Sequence, residues 1–281
     1  MKKVAIQGYA GSFHHIAACE YEGEAVEIIP CDTFTAVARA VERREADYGV
    51  MAIENSIAGS ILPNYKLLQQ CDLHVVGEIY LQIRQNLMVN RGVTLDEIRQ
   101  VESHQMALLQ CSEFLESHGW RLVESADTAL SAAELQRSGS RTTAAIAGTL
   151  AAELFDLDII AADIHTARNN YTRFLILEQC DRASFSPEMS DSGANKASLY
   201  FKLPDTSGSL YQALGALEGL NINMSKLQSY PIPDQPFHYM FHTDMTFEKI
   251  ENFRIALAHM RAMGVDVHIY GVYNENTDFS L

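Results

Sequence analysis

The first sixty residues repeat one pattern that narrows the fold sharply. Val4 to Gln7 is a short apolar run closed by the tight turn Gly8 to Gly11. Ser12 then stands where a helix N-cap belongs, ahead of Phe13-His14-His15-Ile16-Ala17-Ala18. Residues 25–30 read as a buried strand, 33–44 as an amphipathic helix capped by Asp32 or Thr33, and 48–53 as a third strand. Strand, helix, strand, helix, strand restricts a chain to a parallel sheet with right-handed crossovers. Ligands of such sheets bind beyond the carboxyl ends of the strands. The Gly8 turn and the stretch Glu54-Asn55-Ser56 both fall at that edge, so a shared site is expected there from pattern alone.

Ser60 caps a further helix with Pro63 in its first turn, and residues 73–90 hold two strand-like runs broken near Gln82 to Gln85. The alternation then restarts: strand 100–102, helix 104–117, strand 121–124, helix 127–136, strand 144–147, helix 149–155, strand 159–162. Two similar α/β lobes in tandem are expected, and a last strand, 173–178, is free to return to the first. Residues 181–195, rich in Ser with Pro187 and Gly193 and without periodicity, read as a linker. Beyond it the order is strand 196–203, helix 207–220, strands 222–229 and 239–245, helix 248–260, strand 265–272, a ferredoxin-like βαββαβ succession. Residues 274–281 read as a tail.

A chain of 281 residues has ample core for such an arrangement. No apolar run approaches a membrane-spanning length. Lys2 and Lys3 precede a run that Gln7, Gly8 and Gly11 interrupt too early for a signal peptide. Five cysteines, an odd number without metal-type spacing, fit free thiols in a reducing cytoplasm. A net charge of −15 disfavours nucleic acid and anionic membranes as partners. It also requires any anionic ligand to be held by local features: Arg173, helix N-termini and hydroxyls.

Chemistry-bearing residues collect in five stretches. Asn169 to Phe174 is a polar turn entering the apolar run Leu175 to Leu177, with an exposed-looking Arg173 whose planar fork suits a carboxylate and a Thr172 hydroxyl beside it. The others are Gly8 to Phe13, Glu54 to Ser60, Ser103 to Cys111 and Asp127 to Ala133. Taken in chain order, the set resembles prephenate dehydratase, over nearly the whole chain. With Asp205 to Leu210 at its first turn, the C-terminal succession looks like an ACT domain. The resemblance implies a two-lobed, type II periplasmic-binding-protein-like α/β catalytic domain over 1–180, with lobes 1–82 plus 172–180 and 83–171. A linker (181–195), an ACT regulatory domain (196–273) and the tail would follow. The implied activity is decarboxylative dehydration of prephenate to phenylpyruvate in L-phenylalanine biosynthesis, without a cofactor. The implied setting is a cytoplasmic homo-oligomer, dimer or tetramer, joined through ACT domains and regulated by L-phenylalanine.

On that reading Arg173 clamps a carboxylate and Thr172 orients, polarises or protonates the departing hydroxyl; a threonine is a poor acid without a relay. Glu54 is either an acid of raised pKa in the cleft or an ionised carboxylate holding backbone amides. Asn55, Ser56, Ser12, Ser103 and Thr128 offer neutral donors, each also suited to an N-cap. Gly11, Gly59, Gln110, Asn170, Phe13 and Phe174 complete the expected substrate set, the two phenylalanines reading first as core. His104 opens a helix, and a structural role is favoured. Gly208, Ser209, Leu210, Asn223, Gln228 and Ser229 would hold the effector. Tyr9 and His14 depart from the family's Pro and Ser or Thr, and Ala52 and Ala58 from its Pro and Glu. Gln228-Ser229-Tyr230-Pro231 replaces the family's Glu-Ser-Arg-Pro. No mutase segment precedes Val4, so chorismate mutase activity is not expected. The rival readings are an arogenate dehydratase, acting on an aminated substrate, and a non-catalytic sensor of small acids.

Overall fold

The computed structural model describes residues 1–23, 25–180, 193–232 and 235–277. Most of the expected linker and the end of the expected tail lie outside them. The chain divides into two compact units, 1–61 with 79–174, and 62–78 with 175–277.

In the first unit, β1 (Lys3–Gln7), α1 (Phe13–Glu22), β2 (Glu27–Cys31), α2 (Phe34–Glu42), β3 (Tyr48–Asn55) and β4 (Gly59–Ser60) follow the expected alternation. Ser12 Oγ caps α1 by accepting from His15 N–H, and Gly23 ends the helix in the left-handed region. Thr33, rather than Asp32, caps α2, whose Val37, Ala38, Ala40 and Val41 form the buried face. β1 is parallel to β2 and β3, while β4 folds back antiparallel on the end of β3. Glu54 and Asn55 therefore belong to a strand pair and not to a loop. The second unit takes α3 (Leu62–Gln70). The sheet is completed by β5 (Leu73–Gln82) and by β11 (Tyr171–Gln179), in the order β2-β1-β3-β11-β5. β5 and β11 each run on into the second unit.

Between β5 and β11 lies the other sheet of this unit. Its elements are β6 (Asn86–Asn90), β7 (Gln100–His104), α4 (Gln105–Gln110), α5 (Ser112–Glu116), β8 (Arg121–Ser125), α6 (Thr128–Ser138), β9 (Thr143–Ala147), α7 (Thr149–Leu154) and β10 (Leu157–Ala161). The order is β10-β6-β9-β7-β8. β7 pairs in parallel with β8 and β9, whereas β6 is antiparallel to β9 and β10, so the sheet is mixed. The helix expected over 104–117 breaks at Cys111 into α4 and α5. Cys111 is fully buried with Val101, Leu87 and Ile146, and burial pushes its thiol up to about 12, so it serves packing.

The second unit contains β12 (Lys196–Lys202), α8 (Ser209–Gly215), β13 (Ile222–Pro231), β14 (Tyr239–Phe247), α9 (Ile250–Ala262) and β15 (Asp266–Tyr273). They form an antiparallel sheet in the order β13-β14-β12-β15. α8 stops well short of the expected Leu220, in a stretch where Gly215 and Gly219 weaken the helix. The core packs Leu199 and Phe201 against Phe253, Leu257 and Met260. Gly271 lies flat on β5: a Cβ there would stand 1.9 Å from the Val75 carbonyl oxygen. Beside it Lys196 Nζ meets Glu78 Oε1 at 2.8 Å, with side-chain exposures of 1% and 0%. Tyr273 Oη and Asn276 N–H also donate to the Glu78 carboxylate, at 3.4 and 3.3 Å.

A buried pair of this kind is costly to break from one side. Lys196→Met should lose about 3–5 kcal/mol in urea unfolding, because Glu78 keeps a buried charge. Adding Glu78→Gln should recover part of that loss in a double-mutant cycle.

Candidate active site

Strand β11 begins at Tyr171, so Thr172, Arg173 and Phe174 all lie within a pleat and alternate in direction. Thr172 and Phe174 face a cleft of about 320 Å³ between the two sheets of the first unit. Arg173 turns the other way. It is 5% exposed, its guanidinium carbon stands 5.9 Å from the Tyr80 ring centroid, and it does not line the cleft. The expectation of an exposed arginine is corrected here: the strand starts two residues early, and Arg173 is buried within the pleat.

The cleft wall combines Gln7, Ser12, Phe13, His14, Phe34, Asn55, Thr172 and Phe174 with Gln85, His104, Gln110, Asp127 and Thr128. Asn55 organises the first group. Its Oδ1 accepts from the N–H groups of Ile57 and Ala58 at 3.0 and 2.9 Å, which assigns the amide orientation. Its Nδ2 donates to Asn170 Oδ1 (2.7 Å), the Tyr171 carbonyl (3.1 Å) and Thr172 Oγ1 (3.0 Å). Because Thr172 Oγ1 receives a hydrogen bond there, its own O–H is directed elsewhere, and no acceptor meets it among the described residues. A polarised hydroxyl is thus held on the wall of the cleft.

Of the sequence-selected residues, Ser12, Phe13, Asn55, Gln110, Thr128, Thr172 and Phe174 meet on the wall. Glu54, Ser56, Gly11, Gly59, Ser103, Asn170 and Arg173 do not. Ser56 Oγ ties the two segments together, donating to the Asn169 carbonyl and accepting from Tyr171 N–H. Ser103 is fully buried with its hydroxyl on the Ile146 carbonyl at 2.6 Å. A Cβ at Gly11 (φ +89°) would lie 2.9 Å from Ala151 Cα, so glycine there permits close approach of α7. Asn170 sits behind the wall as the acceptor for Asn55. Of the effector set, Gly208 precedes α8 in the left-handed region and Ser209 Oγ donates to the Thr206 carbonyl. Leu210 packs on the βαββαβ core, while Asn223, Gln228 and Ser229 lie on β13, an edge of its sheet.

Sequence reasoning missed Asp127, Gln85, Gln7, Phe34 and the placement of His14. Asp127 caps α6, its Oδ1 accepting from Ala129 and Leu130 N–H at 2.8 and 3.0 Å. The signal was its position before Thr128, read only as a helix start. Burial pushes its carboxyl up from the ordinary range, opposed by those two amides. His14 packs edge-on against Phe174 at 4.9 Å, and burial pushes its imidazole down to about 4. Its Nε2 is buried without a partner, as are Gln85 Oε1 and Asn170 Nδ2, among the described residues. No lysine or arginine lines the cleft, and no group of three or more His, Cys, Asp and Glu is arranged to hold a metal, among the described residues.

The family model for prephenate dehydratase matches residues 4–182. The chain belongs to the prephenate dehydratase family. Within it, the chain is 36% identical over 293 residues to the arogenate dehydratase/prephenate dehydratase 2, chloroplastic, of Arabidopsis thaliana, covering 98% of this chain and 73% of that protein. Among solved structures, a prephenate dehydratase from Arthrobacter aurescens in complex with L-Phe superposes with a TM-score of 0.82 at 26% identity, covering 97% of this chain and 90% of that one. A structure described as GqqA, a novel type of quorum quenching acylase, superposes with a TM-score of 0.86 at 28% identity, over 98% and 99% of the two chains.

For a family dehydratase built this way, Thr172→Val should lower kcat by roughly 10²–10³-fold with little change in KM. Asn55→Asp keeps the acceptor for Ile57 and Ala58 but loses the donor to Thr172, so steady-state kinetics should show a fall of the same kind. Stability should also follow pH. His14 and His242 are each pushed down by burial to about 4 from 6.5, so the unfolded chain binds more protons between those values. Their contribution is complete above pH 6.5 and is lost as pH falls to 4. Melting temperatures over that window should decline less steeply in His14→Ser than in the unaltered protein.

Proposed function

We propose that the chain aromatises prephenate or arogenate by joint loss of carbon dioxide and hydroxide, as a lyase in phenylalanine biosynthesis. The observation that carries this reading is the Thr172 hydroxyl, polarised by Asn55 on the wall of a cleft formed between two α/β sheets. The electron pair of the breaking C–carboxylate bond enters the ring, and the hydroxyl leaves from the far carbon, taking a proton to become water. Thr172 would hydrogen-bond to that departing oxygen, and Ser12, Thr128 and the N-terminal ends of α1 and α6 would receive carboxylate oxygens. Arg173 would act as a positioning residue, stacked on Tyr80 behind Thr172.

The domain limits read from the sequence belong to the same proposal: a catalytic domain to residue 180 and an ACT-like regulatory domain over 196–273. Its βαββαβ order supports this, as does the L-Phe named for the Arthrobacter relative. Gly208 to Leu210 with Asn223, Gln228 and Ser229 would bind phenylalanine in a cytoplasmic homo-oligomer. The exposed edge of β13, carrying a half-exposed Leu227, suits a second copy of the sheet. An acyl-transfer reading has less support: no wall hydroxyl is hydrogen-bonded to an imidazole or carboxylate among the described residues.

Purified protein should form phenylpyruvate from prephenate or phenylalanine from arogenate. Added phenylalanine should slow initial turnover of prephenate. Folded protein that leaves both substrates unchanged would refute the reading. Turnover indifferent to phenylalanine would keep the enzyme and remove the regulatory part.

A further inference from the structure

Among the described residues the chain passes between the two sheets of the first unit at 83–85, from β5 to β6, and at 162–170, from β10 to β11. Both crossings, with Gln82 at the end of β5, line a cavity of about 240 Å³. Arg84 comes from the first crossing, and Asp163, His165 and Arg168 come from the second. The cavity shares no lining residue with the candidate active site. Two guanidinium groups and an imidazole stand there beside one carboxylate, in a chain whose net charge is −15.

The donors of this cluster are largely unspent. Arg84 Nε donates to Gln82 Oε1 at 3.1 Å and stands 3.9 Å from Asp163 Oδ1, while its two Nη groups meet no acceptor among the described residues. The Arg168 guanidinium meets none there either, although its backbone carbonyl is held by Gln82 Nε2 at 2.9 Å. His165 is 8% exposed. Its Nδ1 accepts from Gln85 N–H at 3.4 Å, which assigns the ring proton to Nε2, and that donor also lacks an acceptor among the described residues. Asp163 is half-exposed, so it offsets the arginines weakly.

Two planar forks and an imidazole N–H gathered on one cavity suit an anion with several oxygens. The geometry points to a binding site for a phosphate dianion, free or carried on a small ester. Arg84 and Arg168 each give it a forked contact, and His165 Nε2–H gives a third. The ligand must draw Arg84 away from Asp163, and a dianion does so with twice the charge of a monocarboxylate. A water molecule's share of liquid volume is about 30 Å³, so the cavity has room for phosphate and a few carbon atoms. Held by both crossings, the ligand braces the segments that carry Gln85 to the cleft and Asn170 to Asn55. The site is independent of the reaction assigned to the cleft.

The test is titration calorimetry of the full chain with inorganic phosphate, and with glycerol 3-phosphate in a second arm. Saturable binding at one site is expected. Tighter binding of the ester would assign the site to phosphate esters, and equal or tighter binding of the free ion to phosphate itself. Arg84→Gln and Arg168→Gln should each weaken Kd about ten-fold or more, the range for a hydrogen bond to a charged group. Asp163 has φ +54°, which asparagine tolerates, so Asp163→Asn removes the competing charge without strain and should tighten binding several-fold. Thr172→Val, on the cleft wall, should leave Kd unchanged. Bound phosphate should slow hydrogen exchange at the Ile83 and Gln85 amides. The proposal is overturned by the absence of saturable binding, by a Kd that neither arginine variant raises, by a Kd that Asp163→Asn raises or Thr172→Val shifts, or by exchange that phosphate leaves unchanged.

Discussion

The side-chain amide of Asn55 joins two stretches of chain that are more than a hundred residues apart in sequence. Its oxygen closes the turn between β3 and β4, and its nitrogen reaches the crossing segment at Asn170 and the first residues of β11. Every polar valence of the amide is engaged, which leaves it one orientation. Thr172 inherits that order. Its hydroxyl oxygen is pinned from behind, its hydrogen is released forward, and the β pleat holds the side chain on the cleft wall. A hydroxyl so arranged loses little freedom when a reacting oxygen arrives, the condition under which a weak acid becomes a useful donor.

The electrostatic design is unusual for an anionic substrate. The chain is strongly acidic overall, Arg173 is withdrawn behind the sheet, and the cleft relies on helix ends and neutral donors. Such groups neutralise a carboxylate only partly. That arrangement tolerates a singly charged ligand more easily than a doubly charged one. The loose ends on the wall (His14 Nε2 and Gln85 Oε1) are polar atoms whose burial cost is unrecovered within the protein.

Much of the fold was readable because strand runs, caps and glycine turns carry local physical signals. Ser12 and Thr33 cap their helices, and the return of β11 beside β3 agrees with a strand left over after the second α/β repeat. The errors arose where a boundary of one or two residues decides direction. Thr172 and Arg173 read as one turn, yet inside a strand they must part to opposite faces. Glu54 and Asn55 read as lying beyond a strand that ends at residue 53, yet their pairing with β4 extends that strand and puts Asn55 on the wall and Glu54 off it. Asp127 was overlooked for a different reason: capping explains one of its oxygens fully, and only the three-dimensional approach of Gly8 reveals the other.

The buried contact between Lys196 and Glu78 bears on how such a chain could be recombined. The two residues come from opposite sides of the stretch that looks like a natural seam in the sequence. Cutting at that seam would strand a carboxylate in an apolar setting on one fragment and an ammonium on the other. The C-terminal βαββαβ segment is therefore no interchangeable cassette. A graft from a relative would need a cation at the position of Lys196, a glycine at that of Gly271, and a matching acid on β5.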